Sequence, residues 1–344
     1  MTGFVIVLVV FLVIAILIAL FRLHTLVEVI KGKKDERSGK SNKVNAALMM
    51  VFLVLSLVLL FWFSIKEFDN YTLPIASEHG VTTDSMFWWT MGITGIMFII
   101  TQILLFWFSY KYQYSENRKA LFYPDNTKLE LIWTVVPAIA LTGLVLYGLF
   151  VWNDVMKPAP KDAEVIEVMG YQFAWKVRYP GKDKQLGEYD YRLINSINEF
   201  GMNFQDRASF DDFSPRELHL PKGRPVDIKI RARDVLHSFF LPHFRVKMDA
   251  VPGMPTRFGF TPTKTTEEMR QELGNPDFNY ELACTEICGR GHYSMRLIVI
   301  VHEPEEYDEW FASQETWLSK NPDYLSQVPD NMKELASVNA NISK

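Results

Sequence analysis

Cys284-Thr285-Glu286-Ile287-Cys288-Gly289-Arg290-Gly291-His292-Tyr293-Ser294-Met295 gathers two thiols, an imidazole and a thioether within twelve residues. This soft, polarisable donor set suits copper better than magnesium or calcium. Zinc accepts thiolates and imidazole but has little use for Met295. The four-residue interval lets a loop between two strands turn both sulfurs inward, and His292 repeats it. The chain holds no other cysteine, so a disulfide framework is excluded and at most one local bridge can form. Taken alone the cysteines read as a disulfide or buried pair about as often as a metal site; His292 and Met295 in register favour the metal. A further ligand comes from Asp234-Val-Leu-His237-Ser-Phe-Phe, where an imidazole ends an apolar strand beside aromatics, and burial there keeps such a site dry and rigid. His237 by itself would read as a satisfied core histidine. His243, after Pro242, is left unassigned, and Met248 and Met254 read as packing residues.

Working outward, Val165–Trp175, Leu193–Ile197, Glu217–Leu220, Val226–Arg231, Thr256–Phe260, Tyr280–Ala283 and Arg296–Val301 read as short strands between Pro, Gly and Asp turns. That spacing predicts a small β-sandwich or barrel over residues 153–312. Residues 181–213 and 263–277 look like insertions, the second with a helix start at Thr265-Thr266-Glu267-Glu268. The tail, 313–344, lacks sustained apolar periodicity and reads as partly extended.

Residues 1–152 form a membrane part with four apolar stretches, 3–21, 46–64, 89–108 and 131–152, each near the ~20 residues a spanning helix needs. The first lacks the basic start and small-residue cleavage site of a signal peptide, which favours a retained helix. Lys31, Lys33, Lys34, Arg37, Lys40 and Lys43 follow it, and Lys111, Arg118, Lys119 and Lys128 lie between the last two; the middle loop is acidic. By the positive-inside rule both basic loops are cytoplasmic, and both termini face outward. The net charge of −4 gathers beyond the membrane part, which argues against nucleic acid as a partner and allows a basic protein.

The Cys-x-Glu-x-Cys-Gly-x-x-His-x-x-Met loop, Asp234–Phe239 and Val246-Lys-Met-Asp-Ala-Val-Pro-Gly253 resemble subunit II of cytochrome c oxidase. So do Asn126-Thr-Lys-Leu-Glu130-Leu-Ile-Trp133-Thr-Val-Val-Pro137 and Gly170-Tyr-Gln-Phe-Ala-Trp175. The resemblance implies membrane helices followed by a cupredoxin-like domain with a dinuclear copper A centre. Cys284 and Cys288 would bridge the coppers; His237 and Met295 would complete one, and His292 with the Glu286 carbonyl the other. The Glu286 side chain would serve a magnesium site shared with subunit I. The implied function is to accept electrons from a separate c-type cytochrome and pass them to the haem-bearing subunit I, which reduces oxygen to water and translocates protons. The implied setting is a bacterial inner membrane, with lipid and other oxidase subunits around a multi-pass chain and the C-terminal domain on the periplasmic side.

Glu130 has two readings. Thr127-Lys-Leu-Glu130 has capping-box form and suits the helix dipole, while in the family this glutamate marks the mouth of a proton path. Trp175 reads as sandwich packing or as part of the electron-uptake region. Phe173 stands where the family generally carries an exposed tryptophan, and Met254 where it commonly has arginine. The acidic run Glu303–Glu309 reads as a solvated face or as a steering patch for a basic cytochrome. Quinol oxidase subunits share the fold but lack the copper ligands. A membrane-tethered copper carrier or sensor would explain the ligands but not the Asn126–Pro137 match.

Overall fold

The computed structural model describes residues 2–31, 40–115 and 117–340. Most of the basic Lys31–Lys43 loop lies outside these residues. Four helices are long and apolar enough to cross a membrane: α1 (Thr2–Ile30), α2 (Lys40–Lys66), α4 (Glu78–Lys111) and α5 (Thr127–Val155), with a short α3 (Phe68–Tyr71) after α2. The chain divides into two compact units, Met1–Thr72 with Trp89–Ala140, and Leu73–Trp88 with Leu141–Lys344. In the first, Phe52 of α2 meets Phe106 of α4 at 5.6 Å between ring centroids. Helix α5 starts one residue earlier than the capping-box reading requires. Asn126 is the cap, its Oδ1 accepting from Leu129 N at 3.1 Å, because an amide side chain just outside the first turn reaches an orphan N–H that Thr127, already inside, cannot.

The second unit is a two-sheet β-sandwich. Strands β1 (Glu164–Tyr171), β2 (Ala174–Arg178), β3 (Leu218–Pro221), β4 (Val226–Ala232), β5 (His237–Leu241), β6 (Val246–Ala250), β7 (Thr256–Phe260), β8 (Tyr280–Cys284) and β9 (Arg296–His302) form sheets ordered β2-β1-β4-β7 and β3-β9-β8-β5-β6. Alternation decides the facing: Val226, Ile228 and Ile230 of β4 are fully buried, and with Val168, Val177, Phe239, Leu282 and Val299 they fill the core between the sheets. Strand β8 runs antiparallel to β5 and β9. Hence the end of β8 and the starts of β5 and β9 meet at one rim of the sheet, bringing Cys284, His237 and the residues before Arg296 together. At the opposite rim Arg245 grips Asp84 through Nε (2.7 Å) and Nη2 (2.8 Å).

Three sequence expectations change. Val165–Trp175 is not one strand but the β1–β2 hairpin, turning at Gln172 and Phe173; no Gly, Asn or Asp marks that turn. Leu193–Ile197 is not a strand. Asn195 Oδ1 accepts from Ile197 N (2.9 Å) and Asn198 N (2.8 Å), and such local side-chain bonds draw the backbone away from a ladder. The tail is not extended: after α6 (Thr266–Leu273) and α7 (Pro304–Ala312) it forms α8 (Trp317–Lys320) and α9 (Lys333–Asn339). Trp317, Leu318, Tyr324, Val328 and Ala336 of the tail join Phe200, Met202, Phe204 and Phe210 of the 181–213 insertion in a second core. Neither segment has enough apolar residues to show helical periodicity alone; each supplies half of the other's burial. Helix α6 starts as read, with Thr265 and Glu268 in a reciprocal capping box.

Between the cores lies a buried ionic network. Arg178 donates to Glu167 Oε2 (2.5 Å), Asp212 Oδ2 (3.0 Å) and Gly187 O (3.0 Å), and Arg231 pairs with the other Glu167 oxygen. Burial opposes the charge on Glu167, but the two guanidiniums outweigh it and hold its carboxyl below the usual range. Asp212 has one such partner, and burial pushes it well above that range.

Candidate metal centre

The donor atoms converge where β5, β8 and β9 meet. Cys284 Sγ lies 3.9 Å from His237 Nδ1, 3.2 Å from the Glu286 carbonyl oxygen and 4.0 Å from Cys288 Sγ. Cys288 Sγ lies 3.7 Å from His292 Nδ1 and 3.8 Å from Met295 Sδ. A sulfur separation of 4.0 Å is about twice the ~2.05 Å of a disulfide, so these are two free thiols. Each thiol faces a different imidazole, and both approach each other. All six donors expected from the sequence, the Glu286 carbonyl included, therefore meet at one place. Cys284, Cys288 and Met295 are buried and His237 is fully so. Burial first, and then the neighbouring Cys284, pushes the Cys288 thiol up to about 11; soft donors kept from water fit a thiophilic metal, whose binding would displace the Cys288 proton.

Two residues outside the loop orient the ligands. Asp234 Oδ1 accepts from His237 Nε2 at 2.9 Å, which leaves the Nδ1 lone pair aimed at the sulfurs. The same carboxylate accepts from Gln172 N (2.7 Å) and Val235 N (2.8 Å). Burial works against its charge, but these bonds and that from His237 hold Asp234 below the usual carboxylate range. Gln172 then donates through Nε2 to the Cys288 carbonyl at 2.6 Å, tying the β1–β2 turn to the metal loop. Sequence reasoning noted Asp234 only as a neighbour and passed over Gln172, whose role depends on a turn its sequence does not announce.

Because Val165–Trp175 is a hairpin and not the single strand read from the sequence, Phe173 lies in the turn and Trp175 in β2. Trp175 is 3% exposed, with its ring edge-on to His237 at 5.9 Å and Phe239 at 6.0 Å. Gly170 makes room for this stack: a Cβ there would lie 2.9 Å from the indole and 3.1 Å from the His237 ring. Phe173 is 38% exposed and covers the metal loop, since a Cβ on Gly289 would sit 3.0 Å from its ring, and one on Gly291 2.5 Å. Glu130 sits in the first turn of α5, within the other unit.

Residues 164–302 match the family model described as cytochrome C oxidase subunit II, periplasmic domain, and residues 62–151 match its transmembrane domain. The alternative cytochrome c oxidase subunit 2 of Bradyrhizobium diazoefficiens is 35% identical over 276 residues, 79% of this chain and 92% of that protein. The chain belongs to the cytochrome c oxidase subunit II family. Cytochrome c oxidase subunit 2 of Metridium senile is 28% identical over 262 residues, 73% of this chain and 96% of that one. Among solved structures, the periplasmic domain of subunit II of cytochrome oxidase from Bradyrhizobium japonicum is 24% identical, covering 45% of this chain and 94% of its own, with a TM-score of 0.30. Membership makes the chain a subunit of an oxidoreductase complex, with membrane helices and a C-terminal periplasmic domain, here a two-sheet β-sandwich. Helix α1 and most of α2 precede the matched membrane segment.

Proposed function

We propose that this chain takes electrons from a c-type haem at a dinuclear copper centre and hands them to the haem-bearing subunit I of a cytochrome c oxidase in a bacterial inner membrane. The observation that carries the reading is the convergence of two free thiols, two imidazoles, a thioether and a carbonyl, each linked to a thiol within 4.0 Å. Cys284, Cys288, His237, His292, Met295 and the Glu286 carbonyl would hold the copper pair, which would supply one-electron transfer with little change of geometry. The protein's residues supply rigidity and dryness. Asp234 fixes the His237 ring, Gln172 pins the Cys288 carbonyl, and Trp175 closes the inner side. Phe173 shields the outer side, and we assign it packing near the copper rather than an obligatory relay, with Trp175 buried behind it. In this reading the Glu286 side chain serves a magnesium site shared with subunit I, and Glu130 stands at the mouth of a proton path.

A membrane-tethered copper carrier outside any oxidase is the competing function. Purification from native membranes separates the two. The reading predicts that haem-containing subunits accompany the chain and that a c-type cytochrome reduces its copper; a copper-loaded chain isolated without haem would contradict it.

A further inference from the structure

At the end of β9 away from Met295, four side chains form a row that electron transfer does not use. His219 Nδ1 lies 2.7 Å from His302 Nε2, with the two rings within 7° of parallel. Glu217 Oε2 lies 3.6 Å from His219 Nε2, and Glu306 Oε2 4.0 Å from His302 Nδ1. Trp310 stacks over His219 at 4.0 Å, and His219 is 7% exposed. Glu217 and His219, two residues apart at the start of β3, take the same side of the strand. Both line one cavity with Ser214, Gln314, Arg216 and Lys320.

Two neutral imidazoles carry two N–H groups on four ring nitrogens. One proton lies between the rings, since two bare nitrogens at 2.7 Å would repel. The other can face only one of the two carboxylates, which leaves the second carboxylate opposite a lone pair. A third proton would remedy this, but burial pulls both imidazoles below the usual histidine range, in His219 with the help of His302. A metal on His219 Nε2 removes the conflict. His219 Nδ1–H then donates to His302, and His302 Nδ1–H faces Glu306, the type of outer hydrogen bond that orients metal-bound imidazoles. Nitrogen and oxygen ligands at zinc's bond lengths, set at a tetrahedral angle, stand about 3.4 Å apart, close to the 3.6 Å between His219 and Glu217. Arg216 and Lys320 disfavour hard cations such as calcium, which are held by charge, whereas imidazole suits zinc and copper.

We infer that Glu217 and His219 form a metal site separate from the copper ligands, for a zinc-class divalent ion, with His302 and Glu306 as positioning residues and water completing the coordination. The test is equilibrium dialysis of the purified oxidase against zinc chloride, followed by metal analysis, for the wild type and its variants. Zinc held elsewhere in the complex cancels in the comparison. The wild type should hold one more zinc per chain than Glu217→Ala or His219→Gln, with copper absorption and haem content alike in all three. Glu217 is partly exposed, so its variant decides the matter even if His219→Gln does not fold. His302→Phe keeps a ring beneath Trp310 and removes no ligand, yet it should weaken this zinc by roughly 10-fold or more, the usual effect of losing an outer hydrogen bond to a ligand. Equal zinc in the wild type and Glu217→Ala would overturn the inference. So would a His302→Phe enzyme with unaltered zinc affinity, since the row would then be packing alone.

Discussion

Strand β9 joins two rims held by different forces. At its start, the metal ligands are fixed by packing and short neutral or singly charged hydrogen bonds: Trp175 against His237, Asp234 beneath it, Gln172 on the Cys288 carbonyl. At its end, His302 Nε2 meets His219 Nδ1 at 2.7 Å, Trp310 stacks on His219 at 4.0 Å, and Lys222 and Arg224 pair with the acidic run. The first rim keeps soft donors in place without a strong local field, which suits the electron-transfer centre proposed above. The second, with the buried Arg178 network and the tail core, carries structure. Changes at the metal rim should alter metal chemistry and spare stability; changes elsewhere should do the reverse.

The sharpest break would come from the thiols. Cys284→Ser or Cys288→Ser should abolish the dinuclear centre, seen as loss of its visible absorption and of at least one copper per chain, while the sandwich stays folded by circular dichroism. Next in size is Arg178→Met, which strands Asp212 and half of Glu167. Removing one partner of a buried network costs about 3–5 kcal/mol, so thermal or denaturant unfolding should shift strongly with the copper spectrum retained.

Acid should also weaken the structural side. Burial first, then His302, pulls His219 down to about 3, and burial first, then Arg245, pulls His243 to about 4. Both are therefore neutral in the fold, whereas an unfolded histidine takes up a proton near pH 6.5. The unfolded chain binds more protons below that value, so the stability these residues contribute is complete above pH ~6.5 and is lost as pH falls toward 4 and then 3. A melting series from pH 7.5 to 4 should show this decline, and His219→Gln should flatten it; a constant midpoint would refute the assignment. The smallest change is Met295→Leu, which should leave copper bound with a shifted reduction potential, because a thioether tunes more than it holds.

The same division explains what the sequence makes legible. The ligands fall in one contiguous loop plus one nearby element, so their chemistry is readable without coordinates; β4 follows from its period-two Val226-Asp-Ile-Lys-Ile230, and β9 from a short unbroken apolar run, Leu297–Val301. The β5–β6 hairpin is not legible, because His237-Ser-Phe-Phe-Leu241 shows no apolar–polar alternation and its partner carries Lys247 and Asp249. The tail's fold is not legible because Trp317 and Tyr324 find their partners, Phe204 among them, more than a hundred residues away. Long-range burial of that kind leaves no local periodicity. Gln172 was missed for a related reason: only the turn brings its amide to Cys288.

The central claim is that the converging donors hold two coppers as one electronic unit. Metal analysis of the purified protein, with electron paramagnetic resonance of the oxidised form, tests it directly. The account predicts two coppers at this site per chain, and one unpaired electron shared equally between them with a purple absorption. A single copper, or a colourless zinc site held by the same cysteines, would contradict it.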